Sequence, residues 1–94
     1  MPKVEGKVVA VSAAGNLVTD ITEDRLRGAP RDEQLSVACD DHVTAGIFPP
    51  DHQQPAMTFL SVLSPGGTLE LSIVGDSAAA MLGIRVGERV VVSW

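Results

Sequence analysis

The stretch GNLVTDI, residues 15–21, decides the fold class of this chain. Gly15 and Asn16 form a typical turn sequence, because either residue tolerates the positive φ that a tight turn needs. Leu17, Thr19 and Ile21 alternate along the chain with Val18 and Asp20, which is the two-residue period of a half-buried β-strand. The preceding run KVVAV, residues 7–11, is short and β-branched. Together the two runs predict a β-hairpin.

Similar strand patterns recur along the rest of the chain. The clearest alternation of apolar and polar residues covers residues 69–73. Further strands are predicted at residues 35–38, 43–48, 56–63 and 89–93. About seven short strands separated by turns are typical of a small β-barrel. We therefore predict an all-β fold, a single domain over residues 1–94 that forms a closed or nearly closed barrel with one or two short helices.

The two helical segments are predicted from their capping residues. Residues 22–26 read as one helical turn, with Thr22 placed to cap the free amides. Residues 77–82 read as a short helix, with Asp76 as the N-cap and Gly83 as the C-terminal stop.

Composition limits the classes of function. Hydrophobic residues make up 45% of the 94 residues and only three are aromatic, so the core must be aliphatic. The net charge of −5 argues against binding to nucleic acid or to an anionic membrane. The single cysteine, Cys39, excludes an intramolecular disulfide, and the chain shows neither a secretory signal nor a membrane-length apolar run. These features favour a reducing, cytoplasmic setting.

The residues offer few candidates for catalysis or metal binding. The cluster Cys39-Asp40-Asp41-His42 contains metal-ligand residue types, but neighbours on a strand point to opposite faces. A buried cysteine beside a solvated acidic turn is therefore the preferred interpretation, and we predict neither a catalytic residue nor a metal site. Both histidines, His42 and His52, have polar neighbours and are expected to be exposed. The Pro-rich segment 49–55 is expected to be a surface loop.

Asn16 has two interpretations. Its side chain carries a donor and an acceptor side by side, which matches the edge of adenine, and the glycine before it allows a ligand to approach the backbone. Alternatively, Gly15-Asn16 only forms a turn and the amide holds a neighbouring segment. The residues by themselves favour the second interpretation.

Two blocks of sequence together resemble a known family. They are GKVV and GNLVTDI (6–9, 15–21), and GTLELSI, GDSAA, LG and GERV (67–73, 75–79, 82–83, 87–90). In order and spacing they are similar to the C-terminal domain of the SAM hydroxide adenosyltransferases, the family that includes the fluorinating and chlorinating enzymes. The resemblance covers about half of the chain, at its two ends.

The resemblance implies a small β-barrel that partners a larger N-terminal domain within trimers, with SAM held between domains of neighbouring subunits. It places Asn16 at the asparagine that contacts adenine, and Ala78 and Ala79 where backbone groups meet the adenine edge. Ser64 lies near the family's serine at the methionine end, about one residue out of register.

Two departures from the family pattern affect the implied function. Ser12 replaces the aspartate that holds the substrate amine, and Ala14 replaces the aromatic residue that stacks on adenine. The chain also starts a few residues before the barrel, so the N-terminal domain with its ribose and nucleophile sites is not expected. We predict a stand-alone, non-catalytic binding or assembly module with a degenerate SAM or adenosine site and no required cofactor.

Its partners would be further copies of itself or a separate N-terminal-domain chain. Two alternatives stay open. The chain could complete a split SAM-cleaving enzyme whose N-terminal domain is a separate chain, or it could be a barrel without a ligand, since fold does not determine function.

Overall fold

The chain folds into seven short β-strands, as the alternating patterns predict. The computed structural model describes residues 2–94 and contains β1 (Lys3–Val11), β2 (Leu17–Thr22), β3 (Ser36–Cys39), β4 (His42–Ala45), β5 (Phe59–Leu63), β6 (Thr68–Ile73) and β7 (Arg89–Ser93). A 3-10 turn (Glu23–Leu26) follows β2, and one short helix, α1 (Ala78–Leu82), precedes β7. Within residues 2–94, no helix has the length and apolar character needed to cross a membrane.

All strand pairs are antiparallel, in the order β4-β3-β7-β1-β2-β6-β5. β1 belongs to both halves of this sheet, because residues 3–7 pair with β7 and residues 8–11 pair with β2. The register of β1 shifts between Val8 and Ala10. Such an irregularity increases the local twist of a strand, which allows the sheet to curl towards a barrel.

The seam of the barrel lies between the two end strands, β4 and β5. Phe48 follows β4 and forms a parallel bridge with Val62 of β5. The Phe48 amide donates to the Ser61 carbonyl at 2.9 Å, and the buried Ser61 hydroxyl donates to the Gly46 carbonyl at 2.6 Å. These bonds satisfy part of the exposed strand edge, and the result is the predicted nearly closed barrel.

The core is aliphatic, as composition predicts. Its largest fully buried side chains come from every strand except β4 and from the connecting segments: Val8, Leu17, Ile21, Leu26, Leu35, Val37, Leu60, Leu69, Leu71, Val90 and Val92. The three aromatic residues, Phe48, Phe59 and Trp94, are only half-buried. Inward positions alternate with outward ones on β2 and β6, which is why their sequences show so clear a period.

Three strand boundaries differ from the prediction by more than one residue. β1 begins at Lys3 rather than residue 7, because pairing with β7 extends it. β5 begins at Phe59 rather than residue 56, because Met57 has a left-handed φ of 69° that interrupts the extended backbone. β4 ends at Ala45 rather than residue 48, because Gly46 turns the chain with a φ of 81°.

The helical segments form at the predicted places, but two caps were wrongly assigned. Thr22 precedes the 3-10 turn, yet its side chain makes no capping hydrogen bond. The N-cap of α1 is Ser77 and not Asp76. The Ser77 hydroxyl accepts from the Ala80 amide, three residues ahead, at 3.2 Å. This is the spacing of an N-cap bond, and Asp76 lies one residue too early to form it. Gly83 ends α1 with a φ of 68°, as predicted.

Candidate functional site

The turn between β1 and β2 carries the candidate site. Gly15 has a φ of 87°, which confirms the predicted positive-φ turn. The Gly15 amide donates to the Ser12 carbonyl at 2.9 Å, and the Ser12 amide donates to the Asn16 carbonyl at 2.9 Å. The Ser12 hydroxyl accepts from the Asn16 amide at 3.1 Å. Ser12 therefore stabilises the turn from inside.

This turn packs directly on the start of α1. The Ala79 amide donates to the Gly15 carbonyl at 2.9 Å. A Cβ on Gly15 would overlap the Ser77 hydroxyl and would lie 2.6 Å from Ser77 Cα. Only glycine allows so close an approach. The packing brings together Asn16 from the first block of sequence and residues 77–79 from the second.

A cleft of about 520 Å³ opens beside this contact. Three segments line it: the β1–β2 turn, the end of β6 with the loop to α1, and the Pro-rich loop before β5. The lining residues are Ala14, Asn16, His52, Ser72, Ile73, Val74, Gly75, Asp76 and Ser77. Pockets for small molecules fall in the same range of volumes.

The Asn16 side chain is already engaged on one side. Its Nδ2 donates to Glu70 Oε1 at 3.3 Å, across the β2–β6 pair. The amide oxygen accepts no hydrogen bond from residues 2–94, and Asn16 is one of the residues that line the cleft. Both interpretations of Asn16 are therefore compatible with its position: it ties β2 to β6, and it presents an acceptor to a ligand.

The other predicted site residues fall into two groups. Ala14 lines the cleft, and the buried Ala78 and half-buried Ala79 lie just behind its wall at the start of α1. Ser64 is in the β5–β6 turn, where its hydroxyl lies 3.2 Å from Thr68 Oγ1. The register places Ser64 beside Thr68 and Asn16 level with Ser72, four residues further along β6, which is roughly 13 Å. The structure does not bring Ser64 to the cleft.

Sequence reasoning missed most of the lining residues from the end of β6 and the following loop, and it also missed His52, which comes from the Pro-rich loop. We expected it to be exposed, but it is half-buried and faces the cleft from the Pro-rich loop. Its ring meets the Phe48 ring edge to face, with centroids 6.1 Å apart. The expectation for His42 is also wrong, since His42 is half-buried with Nε2 3.2 Å from the Leu82 carbonyl. The polar residues beside His42 and His52 in the sequence gave no indication of either contact.

The segment Cys39-Asp40-Asp41-His42 is a two-residue hairpin. Cys39 is buried and pairs with His42, and Asp40 turns the chain with a φ of 54°. Both aspartates are exposed, so the prediction of a buried cysteine beside a solvated acidic turn is confirmed. Among residues 2–94, no three His, Cys, Asp or Glu side chains come close enough to hold a metal ion.

Replacement of Cys39 by alanine is expected to remove a pH-dependent part of the stability. Burial, followed by the negative charges of Glu88 and Asp40, raises the pKa of the Cys39 thiol from 9.0 to about 11. The neutral thiol therefore stabilises the fold below pH 9.0, and this contribution is lost as the pH rises towards 11. The full loss is about 2–3 kcal/mol.

Urea unfolding of wild type and Cys39→Ala, at about pH 8 and about pH 11, measures this contribution. The stability advantage of wild type over the variant should shrink by that amount at the higher pH, while all other titrating groups are shared. An advantage that stays constant would show that the folded thiol ionises as freely as the unfolded one.

Comparisons with known proteins identify the architecture. The crystal structure of an uncharacterized conserved protein from Thermotoga maritima matches 98% of this chain with a TM-score of 0.78 at 20% sequence identity. A conserved hypothetical protein from Thermus thermophilus matches 95% with a TM-score of 0.71 at 21% identity. The chain spans 36% and 32% of those proteins. These likenesses show a shared fold. No family model matches the sequence, and no curated protein does.

Proposed function

We propose that this chain is a non-catalytic relative of the SAM hydroxide adenosyltransferase C-terminal domain, a binding or assembly module with a degenerate adenosine site. One observation carries the proposal. The Gly15 carbonyl accepts from the Ala79 amide at 2.9 Å, so the two blocks of sequence that resemble the family meet at one cleft. The unpaired thiol of Cys39 supports a reducing, cytoplasmic setting.

The adenosine half of the family's site has counterparts here. The Asn16 amide oxygen is placed to accept from the exocyclic amine of adenine, while its nitrogen is held by Glu70. The resemblance assigns Ala78 and Ala79 to the positions at which the family's backbone meets the base, although the Ala79 amide here donates to the Gly15 carbonyl. The cleft volume of about 520 Å³ suits a nucleoside.

The methionine half has no counterpart at the cleft. Ser12 has no charge to pair with a substrate amine, and its hydroxyl already accepts a hydrogen bond from the backbone amide of Asn16 inside the turn. Ser64 lies roughly 13 Å away along β6. Ala14 offers no face for stacking on the base, which costs about 1–3 kcal/mol. Adenosine should therefore bind only weakly, with a Kd of about 1 mM.

Charge at the cleft favours a ligand without phosphate. Asp76 gives the cleft lining a negative charge, and neither Lys nor Arg lines the cleft within residues 2–94. The chain carries a net charge of −5. A phosphate group would therefore meet repulsion instead of a partner, and AMP is the natural control ligand.

Titration of ¹⁵N-labelled protein with adenosine, SAM, methionine and AMP tests the proposal. Adenosine and SAM should bind with Kd values of the same order, about 1 mM, because the methionine part of SAM adds no built contact and its positive charge gains only a weak, screened attraction to Asp76. The shifted amide signals should come from Asn16, Ser77 and Ala79. Methionine should shift no signals, and AMP should bind at least several-fold more weakly than adenosine.

The outcomes separate the proposal from its rivals. Binding of SAM far tighter than adenosine would show that a methionine site exists, which contradicts the degenerate site. If no amide signal shifts with adenosine up to about 10 mM, well above the expected Kd, the barrel does not bind this ligand. In each titration the amide signal of Ser64 serves as an internal control, because Ser64 lies outside the cleft.

A second candidate is the component of a split enzyme. It is favoured by the observation that the matched barrels in the Thermotoga maritima and Thermus thermophilus structures belong to chains about three times as long. In this role the barrel completes a SAM-cleaving site with a separate N-terminal-domain chain. Chromatography of adenosine and methionine released from SAM distinguishes the two candidates. Turnover that requires both this chain and an added N-terminal domain supports the component role, and light scattering reports whether the chain also assembles with itself.

A further inference from the structure

His52 is held in a defined orientation by its own loop. Its ring Nδ1 accepts from the Gln54 amide at 3.2 Å, and its backbone amide donates to the Pro49 carbonyl at 3.2 Å. The Phe48 ring packs against it at an interplanar angle of 69°. Two contacts fix the ring and a third fixes its backbone, so this side chain of the cleft lining is prepared to make a directional hydrogen bond.

The hydrogen bond at Nδ1 determines which nitrogen can donate. In a neutral imidazole one nitrogen accepts and the other carries the proton. Because Nδ1 accepts from the Gln54 amide, the proton is on Nε2. Within residues 2–94, Nε2 has no hydrogen-bond partner, so His52, a residue of the cleft lining, keeps an unused N–H donor.

Asn16 supplies the lining with an acceptor, because its own donor is already used. The edge of adenine requires both a donor and an acceptor from the protein. Asn16 could offer both, but its Nδ2 is bound to Glu70 Oε1 at 3.3 Å and only its oxygen remains. A base held by Asn16 alone would keep a ring nitrogen without a partner, at a cost in affinity.

We infer that His52 is a ligand-binding residue of this cleft, whose Nε2–H donates to a ring nitrogen of the purine while Asn16 accepts from the exocyclic amine. The inference rests on the proposed function and adds a contact from the Pro-rich loop. That loop lies in residues 27–56, the part of the chain outside the resemblance. The contact is therefore a property of this sequence and its tertiary packing.

Three deaza analogues of adenosine test which ring nitrogen is recognised. Each of 1-, 3- and 7-deazaadenosine replaces one ring nitrogen with C–H and so removes one acceptor. Wild type should bind one of the three about 2- to 10-fold more weakly than adenosine, which is the effect of one hydrogen bond in a partly solvated site. The other two analogues should bind like adenosine.

Variants of His52 connect that loss to this residue. His52→Phe keeps an aromatic ring and removes the donor, so adenosine should bind about 2- to 10-fold more weakly. The sensitive deaza analogue should then bind this variant as well as adenosine does, because the hydrogen bond is already absent. His52→Gln places an amide N–H near the same position and should restore most of the affinity. Gln53→Ala, an exposed neighbour on the same loop, is the matched control and should bind like wild type.

Each outcome has one meaning. If wild type binds adenosine but His52→Phe binds it equally well, the inference is wrong and the proposed function stands. If all three deaza analogues bind wild type like adenosine, the donor is not used and the inference is again wrong. If adenosine does not bind wild type at all, both the inference and the proposed function are overturned.

Discussion

Gly15→Ala is expected to destabilise the barrel by about 2–5 kcal/mol. The φ of 87° costs a non-glycine residue about 1–2 kcal/mol. The new Cβ would overlap the Ser77 hydroxyl and lie 2.6 Å from Ser77 Cα, so the turn and α1 must separate at a further cost of about 1–3 kcal/mol. Because small domains are stable by only about 5–15 kcal/mol, this is a large fraction of the total. Urea unfolding measures the loss.

Gly28→Ala is the matched control for this prediction. Gly28 has nearly the same φ, 84°, but a Cβ there would meet no atom within 4 Å. Its replacement should therefore cost only the backbone contribution of about 1–2 kcal/mol. The difference between the two variants measures the contact between the turn and α1. Equal losses would show that this contact is not tight.

Leu71→Ala is expected to reduce stability by about 2–5 kcal/mol. Leu71 is fully buried in the middle of β6, where it pairs with Leu17 on one side and Ser61 on the other. Alanine would leave a cavity among the buried aliphatic side chains of the core. For a domain of this size, a loss of about 3 kcal/mol lowers Tm by about 12–24 °C.

Val43→Ala is the control for the loss of buried volume. Val43 is on β4 and is 63% exposed, so its replacement removes little buried surface and should change stability by less than about 0.5 kcal/mol. Leu71→Val, which removes less volume, should lie between the two. Similar losses for Leu71→Ala and Val43→Ala would contradict the described core. Thermal unfolding followed by circular dichroism is sufficient to rank the three variants.

The extent to which the sequence predicted the fold depends on how local each signal was. The alternation on β2 and β6 is strictly local, and these strands were located to within one residue. The start of β5 was predicted three residues too early, because the left-handed φ of Met57 is stabilised by the bond from its amide to the Val74 carbonyl, at 2.7 Å. That partner is 17 residues away, and no property of Met57 itself reveals it.

The candidate site was predicted less completely than the fold. Asn16, Ala78 and Ala79 were selected by resemblance, and the turn on α1 does bring them together. Ser64 was selected in the same way, but the length of β6 separates it from them. His52 was missed altogether, since its place at the cleft depends on how the Pro-rich loop packs against Phe48. Its sequence neighbours are polar and gave no indication of burial.

The sequence by itself determined the order and type of the secondary-structure elements, the positive-φ turn at Gly15 and the aliphatic core, because period, turn chemistry and hydrophobicity are properties of neighbouring residues. Tertiary structure alone decided the cleft. The contact of Gly15 with Ser77 and the bond from Asn16 to Glu70 join residues more than 50 positions apart. The sheet order that places them side by side is set by long-range pairing, which local sequence patterns do not record.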